Sequence, residues 1–148
     1  MKKLKDVKPG EFMYSIFIHY NRLTHRLTLT VAQRKVIEVE QVQRYHEINV
    51  RLKRIINGSV YFGTIVNFSK FEEDQDCVKS GCSTESELIY CFSQKAFIRE
   101  LKNVLKETKK TMVYNKLFIT THRYYNEFMP AFIKMVNSNK NGYAQITY

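Results

Sequence analysis

The stretch over residues 48–68, INVRLKRIINGSVYFGTIVNF, decides the fold class that this sequence indicates. Apolar and polar residues alternate before Asn57-Gly58, which is the period of a half-buried strand, and a second β-rich run follows that pair. An Asn-Gly pair between two such runs favours a type I′ turn, because both central positions of that turn need positive φ. We therefore predict an antiparallel β-hairpin over about residues 48–68.

A two-residue turn at Asn57-Gly58 also predicts the register of the hairpin, in which Lys53 pairs with Phe62 and Arg51 with Thr64. One face is then expected to be core, with Ile48, Val50, Leu52 and Ile65. The other face is expected to carry Arg51, Lys53, Phe62 and Val66. Basic side chains beside an aromatic on an open sheet face are suited to stacking a base and holding its phosphate. The alternative is a sheet covered on both faces, with the basic heads reaching outward.

Strands are also predicted on the N-terminal side of the hairpin. The run over 12–20 is rich in β-branched and aromatic residues, and apolar residues alternate with threonine over 25–31. The segment 33–46 fits a strand and a helix almost equally well. Between the hairpin and residue 88, an acidic loop is expected at about 69–87, with a net charge of −4 that leaves +14 on the remainder of the chain.

The second half of the chain alternates strand and helix patterns. The predicted elements are a strand at 88–92, a helix at about 94–109 capped by Ser93, a strand at 112–120, a helix at 122–137 that Pro130 kinks or delays, and a strand at 144–148. The fold class that follows is α+β. We expect one domain over residues 1–148, with a mainly antiparallel sheet, a β-rich N-terminal half and two helices in the C-terminal half.

Five basic residues recur on the predicted helix at intervals of four and three, which places them along one side of it, opposite part of the apolar stripe. We call this set the basic row: Lys95, Arg99, Lys102, Lys106 and Lys109. Such a row is suited to follow a phosphate backbone, releasing counterions at each contact. The alternative is a solvated lysine face, which amphipathic helices commonly carry.

The composition limits the classes of function. The net charge is +10, which attracts nucleic acid, anionic membranes or acidic proteins. The three cysteines are an odd set, and no secretion signal is recognisable, so reduced thiols and a cytoplasmic location are expected. No apolar run is long enough for a membrane span. Neither a four-ligand zinc pattern nor a phosphate-binding glycine loop is present, and we predict no cofactor, metal or catalytic residue.

The function that these patterns favour is a basic nucleic-acid-binding protein without catalytic activity, which uses the basic row together with Arg51, Lys53 and Phe62. The alternative is a protein-interaction or structural component of a virus or mobile element. In that case the aromatic helix at 124–136 would pack on a protein partner or form a homo-oligomer. A metal-dependent nuclease that uses the acidic cluster at 72–76 ranks third.

Overall fold

A sheet of seven antiparallel strands forms most of the computed structural model, which describes residues 1–21, 23–24, 26–56, 59–81, 86–114, 130, 132–134, 137 and 142–147. The strands are β1 (Phe12–Asn21), β2 (Arg26–Val42), β3 (Glu47–Ile56), β4 (Ser59–Ser69), β5 (Cys77–Gly81), β6 (Ser86–Cys91) and β7 (Gly142–Thr147). One long helix, α1, spans Gln94–Tyr114, and short 3₁₀ turns span Leu4–Asp6, Gln43–Tyr45 and Lys70–Glu72.

The strand order is β4-β3-β2-β1-β6-β5, and β7 pairs additionally with β2. The 17-residue strand β2 joins the two parts of the sheet. Its first part pairs with β1 and β7, and its second part pairs with β3. The segment 33–46, for which strand and helix patterns were balanced, is therefore strand to Val42 and a 3₁₀ turn after it.

The predicted hairpin is confirmed, since β3 and β4 pair antiparallel with Ile56 opposite Ser59. The Asn57-Gly58 turn itself lies outside the described residues. The predicted register is wrong beyond the first pairs, because it shifts by one residue between Leu52 and Arg54. Two residues of β4 thus stand opposite Lys53, as in a β-bulge.

The bulge exchanges the two faces of β4. Arg51 pairs with Ile65 instead of Thr64, and Val50 pairs with Val66. Ile65, expected in the core, is 52% exposed, whereas Val66, expected on the outer face, is 8% exposed. Because side chains alternate between faces, one extra residue inverts the burial of every position beyond it.

One face of the sheet packs against α1. The apolar side of the helix, which includes Phe97, Leu101 and Val104, is buried on strands β1, β2 and β6. The Tyr14 ring stacks on the Phe97 ring with centroids 5.2 Å apart, and Phe97 contacts Phe132 at 4.7 Å. The sequence predicts an apolar stripe of Phe97, Leu101, Val104 and Leu105 on this helix. The first three are buried here, and the side chain of Leu105 lies outside the described part of the chain.

The other face of the sheet closes on itself. Phe68 on β4 meets Tyr90 of β6 at 5.5 Å and Phe92 at 5.6 Å, although three strands separate β4 from β6 in the sheet order. The sheet must therefore curl into a half-barrel. Leu4 and Val7, from the lysine-rich N-terminal segment, complete this second core.

The remaining predicted elements have mixed outcomes. The strands at 12–20, 25–31, 88–92 and 144–148 and the helix at 94–109 correspond to β1, β2, β6, β7 and α1. The long acidic loop is interrupted by β5, and the strand expected from residue 112 is helical as far as Tyr114. Of the helix expected at 122–137, residues 130, 132–134 and 137 are helical, and the others lie outside the described residues.

Candidate nucleic-acid interface

Ser93 caps the first turn of α1 and so sets where the helix begins. The Ser93 side chain accepts a hydrogen bond from the Ala96 N–H at 3.1 Å, and the Ser93 carbonyl accepts one from the Phe97 N–H at 3.0 Å. This is the N-cap predicted from the sequence. Since Ala96 and Phe97 are buried against the sheet, Lys95 and Lys102 face away from it and are exposed.

Arg99, in the middle of the basic row, is held by two carboxylates. Its guanidinium donates to both oxygens of Asp76, with Nη1–Oδ2 at 2.7 Å and Nη2–Oδ1 at 2.8 Å. It also donates to Glu100, with Nη2–Oε1 at 3.1 Å. The hydrogen bond from Arg99 lowers the pKa of Asp76, so the carboxylate stays ionised at neutral pH. Arg99 therefore contributes little net charge to the surface of α1, although its side chain remains 42% exposed.

Lys95 and Lys102 lie seven residues apart, which is about 10 Å along the helix axis. Among the described residues, neither forms an ion pair. The backbone at positions 106 and 109 continues the helix, but the side chains of Lys106 and Lys109 lie outside the described part of the structure. Two members of the basic row, Lys95 and Lys102, are thus exposed to solvent, and a third, Arg99, forms ion pairs.

Three carboxylates of the acidic segment after β4 form local hydrogen bonds or ion pairs. Glu72 accepts a hydrogen bond from the Ser69 N–H at 3.0 Å. Asp74 pairs with Lys5 at 2.7 Å, and that hydrogen bond lowers the pKa of Asp74. With Asp76 bound to Arg99, three of the segment's carboxylates are already engaged. Such contacts leave these carboxylates poorly placed to share a divalent cation.

The outer face of the β3–β4 hairpin carries an ion pair with the neighbouring strand β2. Arg51 lies 3.7 Å from Glu38 of β2, and both side chains are substantially exposed. Together with Glu40, Asn49 and Ile65, they line a shallow depression. Lys53 is half-buried opposite the bulge, and the Phe62 side chain lies outside the described residues. Of this predicted surface, the structure thus describes the side chains of Arg51 and Lys53, and the basic and aromatic surface stays a prediction.

Two adjacent turns carry exposed aromatics that the sequence analysis missed. We call Arg44, Tyr45, Lys70 and Phe71 the turn cluster. Tyr45 is 61% exposed and Phe71 is 91% exposed. The Arg44 guanidinium carbon lies 5.5 Å from the centroid of the Tyr45 ring. The Lys70 N–H donates to the His46 carbonyl at 2.7 Å, which ties the two turns together.

A sequence signal for this cluster exists, since Arg44-Tyr45 and Lys70-Phe71 each place a basic residue next to an aromatic. Arg44-Tyr45 lies in the segment 33–46, whose pattern fits a strand and a helix almost equally well, and Lys70-Phe71 lies in the loop predicted at about 69–87. Their proximity follows from the pairing of Glu47 with Ser69, which brings the start of β3 and the end of β4 together at one end of the hairpin. Only the strand register could have revealed it.

Within the described ranges, no three His, Cys, Asp or Glu side chains cluster closely enough to hold a metal ion. Cys77 and Cys91 do come together, and neither is in a disulfide. Helices among the residues that the structure describes are too short or too polar to cross a membrane.

Comparison with known proteins gives no match. No protein-family model, no curated protein and no solved structure is significantly similar to this chain. Any functional assignment therefore depends on the geometry and charge of the molecule itself.

Proposed function

We propose that this protein binds nucleic acid without catalysing a reaction, acting as a single α+β domain in a reducing compartment. The observation that carries this proposal is the outer side of α1, where Lys95 and Lys102 are both exposed and lie in one line on a chain of net charge +10. Two lysines about 10 Å apart along one side of a helix can each contact a phosphate of the same nucleic-acid strand, and each contact releases counterions.

The turn cluster supplies the aromatic component of the proposal. An exposed ring stacks on a base of any identity, and a neighbouring guanidinium or ammonium can reach the adjoining phosphate. Tyr45 with Arg44 and Phe71 with Lys70 have this arrangement. Since bases are accessible for stacking only when they are unpaired, the cluster favours a single-stranded ligand.

The alternatives predicted from the sequence receive different support. A nuclease that uses the cluster at 72–76 is disfavoured, because Glu72, Asp74 and Asp76 are engaged in local contacts. A protein-interaction role is supported by the exposure of Phe71 and Tyr45, since aromatic residues are enriched at the centres of protein interfaces. Most of the aromatic helix at 124–136 lies outside the described residues.

Fluorescence anisotropy with three labelled probes tests the proposal: a single-stranded DNA, a single-stranded RNA and a DNA duplex. We expect binding at low salt that weakens steeply as salt increases, and tighter binding to the single strands. Absence of binding to all three probes at low salt would contradict the proposal and favour the protein-interaction role. Chelator should leave the probes' affinity and integrity unchanged.

A further inference from the structure

Two cysteines that are distant in sequence lie directly opposite each other in the sheet. Cys77 of β5 pairs with Cys91 of β6. The neighbouring pair is hydrogen-bonded, since the Phe92 N–H donates to the Asp76 carbonyl at 3.2 Å. Hydrogen-bonded and non-hydrogen-bonded pairs alternate along an antiparallel ladder, so Cys77 and Cys91 occupy a non-hydrogen-bonded position.

This position matches the span of a disulfide. Opposed Cα atoms at non-hydrogen-bonded positions are about 4.5 Å apart, and their side chains lie closer than at hydrogen-bonded positions. Disulfides join residues whose Cα atoms are roughly 4.4–6.8 Å apart. Both side chains point to the face of the sheet that α1 covers. The bond can therefore form without moving either strand far.

The two thiols differ in their access to solvent. Cys91 is fully buried, with 0% of its surface exposed, whereas Cys77 is half-buried on the edge strand β5. The hydrogen bond with Cys77 and burial raise the pKa of Cys91. The charged groups near the pair are Asp76, Arg99 and Glu100, and Arg99 and Glu100 act on Cys91 in opposite directions. Cys77 is consequently the thiol that a soluble reagent meets first.

We propose that Cys77 and Cys91 form a reversible intramolecular disulfide when the protein meets a low-molecular-weight disulfide such as oxidised glutathione. The Cys77 thiolate attacks one sulfur of the reagent, which forms a mixed disulfide and expels one thiolate. The Cys91 sulfur then attacks the Cys77 sulfur and expels the second thiolate, which takes up the proton that Cys91 loses. The protein loses two hydrogens, and the reagent is reduced to two thiols.

The bond would fix β5 at the edge of the sheet. The pairing between β5 and β6 holds this short strand in place, and Asp76, immediately before Cys77, holds Arg99. A covalent link at position 77 therefore constrains the segment that neutralises the middle of the basic row. Disulfide formation at this thiol pair does not depend on nucleic-acid binding.

The test is to expose the folded protein to oxidised glutathione, alkylate the remaining thiols after denaturation and map the linked peptides by mass spectrometry. Of the three cysteines, we expect Cys77 and Cys91 to be protected from alkylation and joined in one linked peptide, and Cys82 to be alkylated. A reducing agent should restore all three. The same reaction in denaturant should give mixed linkages, because the native pairing no longer selects one.

Three variants make the outcome specific. Cys82→Ser should form the bond like the wild type, and Cys91→Ala should stop at a single glutathione adduct on Cys77. Cys77→Ser should form no intramolecular disulfide. Alkylation of all three wild-type cysteines after exposure, or a linked peptide that contains Cys82, would overturn the proposal. The wild-type map decides this even if a variant does not fold.

Discussion

The sequence predicts two basic surfaces, the outer side of α1 and the outer face of the β3–β4 hairpin. In the structure, the basic residues of these two surfaces differ in their ion pairs. On the hairpin, Arg51 lies near Glu38, and the bulge places Ile65 beside it. On α1, Arg99 is bound by Asp76 and Glu100, yet Lys95 and Lys102 remain exposed on either side of it. Lys95 and Lys102 form no ion pair among the described residues, whereas Arg51 does.

The difference shows what the spacing of charges can and cannot predict. Spacing along a helix places basic residues on one side of it, but their net charge depends on which acidic residues other elements bring nearby. Asp76 reaches Arg99 because β5 pairs with β6 at the edge of the sheet. Local sequence carries no information on that pairing, so the effective charge of the basic row had to come from the structure.

The largest effect is expected where α1 is anchored. Phe97→Ala removes the ring that contacts both Tyr14 and Phe132 in the core beneath the helix. We expect the free energy of unfolding to fall by about 3–5 kcal/mol, as for other buried phenylalanines. Chemical denaturation monitored by circular dichroism measures it. A loss below about 1 kcal/mol would mean that α1 does not pack on the sheet as described.

The next effect concerns the turn cluster as a stacking surface. Tyr45→Ala and Phe71→Ala should each weaken binding to single-stranded DNA by about 1–3 kcal/mol if each ring stacks on a base. Leu23→Ala is the matched control, since Leu23 is also highly exposed but lies at the β1–β2 turn. Equal affinity of all three variants and the wild type, measured by anisotropy, would exclude the cluster from the interface.

The register of the hairpin predicts a contrast between neighbouring residues. Val66→Ala should lower the free energy of unfolding by about 1.5 kcal/mol, because it removes two buried methyl groups. Ile65→Ala, at a largely exposed position, should change it by less than about 0.5 kcal/mol. Denaturation curves of the two variants check this contrast. The reverse ranking would restore the register without a bulge.

The hairpin also shows how far sequence reasoning reaches. The Asn57-Gly58 pair and the alternation correctly predicted antiparallel strands, because turn chemistry and side-chain alternation are local properties. The bulge opposite Lys53 was not predictable, since the extra residue in β4 is favoured by the packing of Val66 and Phe68 in the second core. Gly63, at the bulge, was the one local hint.

The same distinction applies to the candidate site. Ser93 and the apolar stripe of α1 correctly predicted which side of the helix faces solvent, because capping and amphipathic spacing act within one element. The turn cluster, the Asp76–Arg99 ion pair and the Cys77–Cys91 pair all join residues more than ten positions apart. Each depends on strand order or register, which periodicity does not encode.

A smaller effect is expected from the carboxylate that holds Arg99. Asp76→Asn removes a negative charge beside the basic row, so affinity for single-stranded DNA should increase at fixed salt. The mutation should also cost less than about 1 kcal/mol of stability near neutral pH, because the pair is partly exposed. Lower affinity in the folded variant would show that Asp76 does not compete with the ligand.

The stability cost of Asp76→Asn should depend on pH. The pKa of Asp76 is lowered in the folded protein, so the carboxylate stabilises the fold above its unfolded pKa of about 3.9. This contribution is lost as the pH falls through the folded pKa. The stability difference between the wild type and Asp76→Asn should therefore be constant above about pH 5 and shrink below about pH 4, as measured by denaturation over that range.

We infer that the outer side of α1, and not the outer face of the hairpin, contacts phosphates, and the salt dependence of binding distinguishes the two surfaces. The measurement is the slope of log affinity for single-stranded DNA against log salt, compared between Lys95→Gln/Lys102→Gln and the charge-matched Arg51→Gln/Lys53→Gln. Each lost phosphate contact flattens the slope by about 0.7. We expect a flattening of about 1.4 for the α1 variant and an unchanged slope for the hairpin variant. An unchanged slope for the folded α1 variant, or a larger flattening for the hairpin variant, would contradict it.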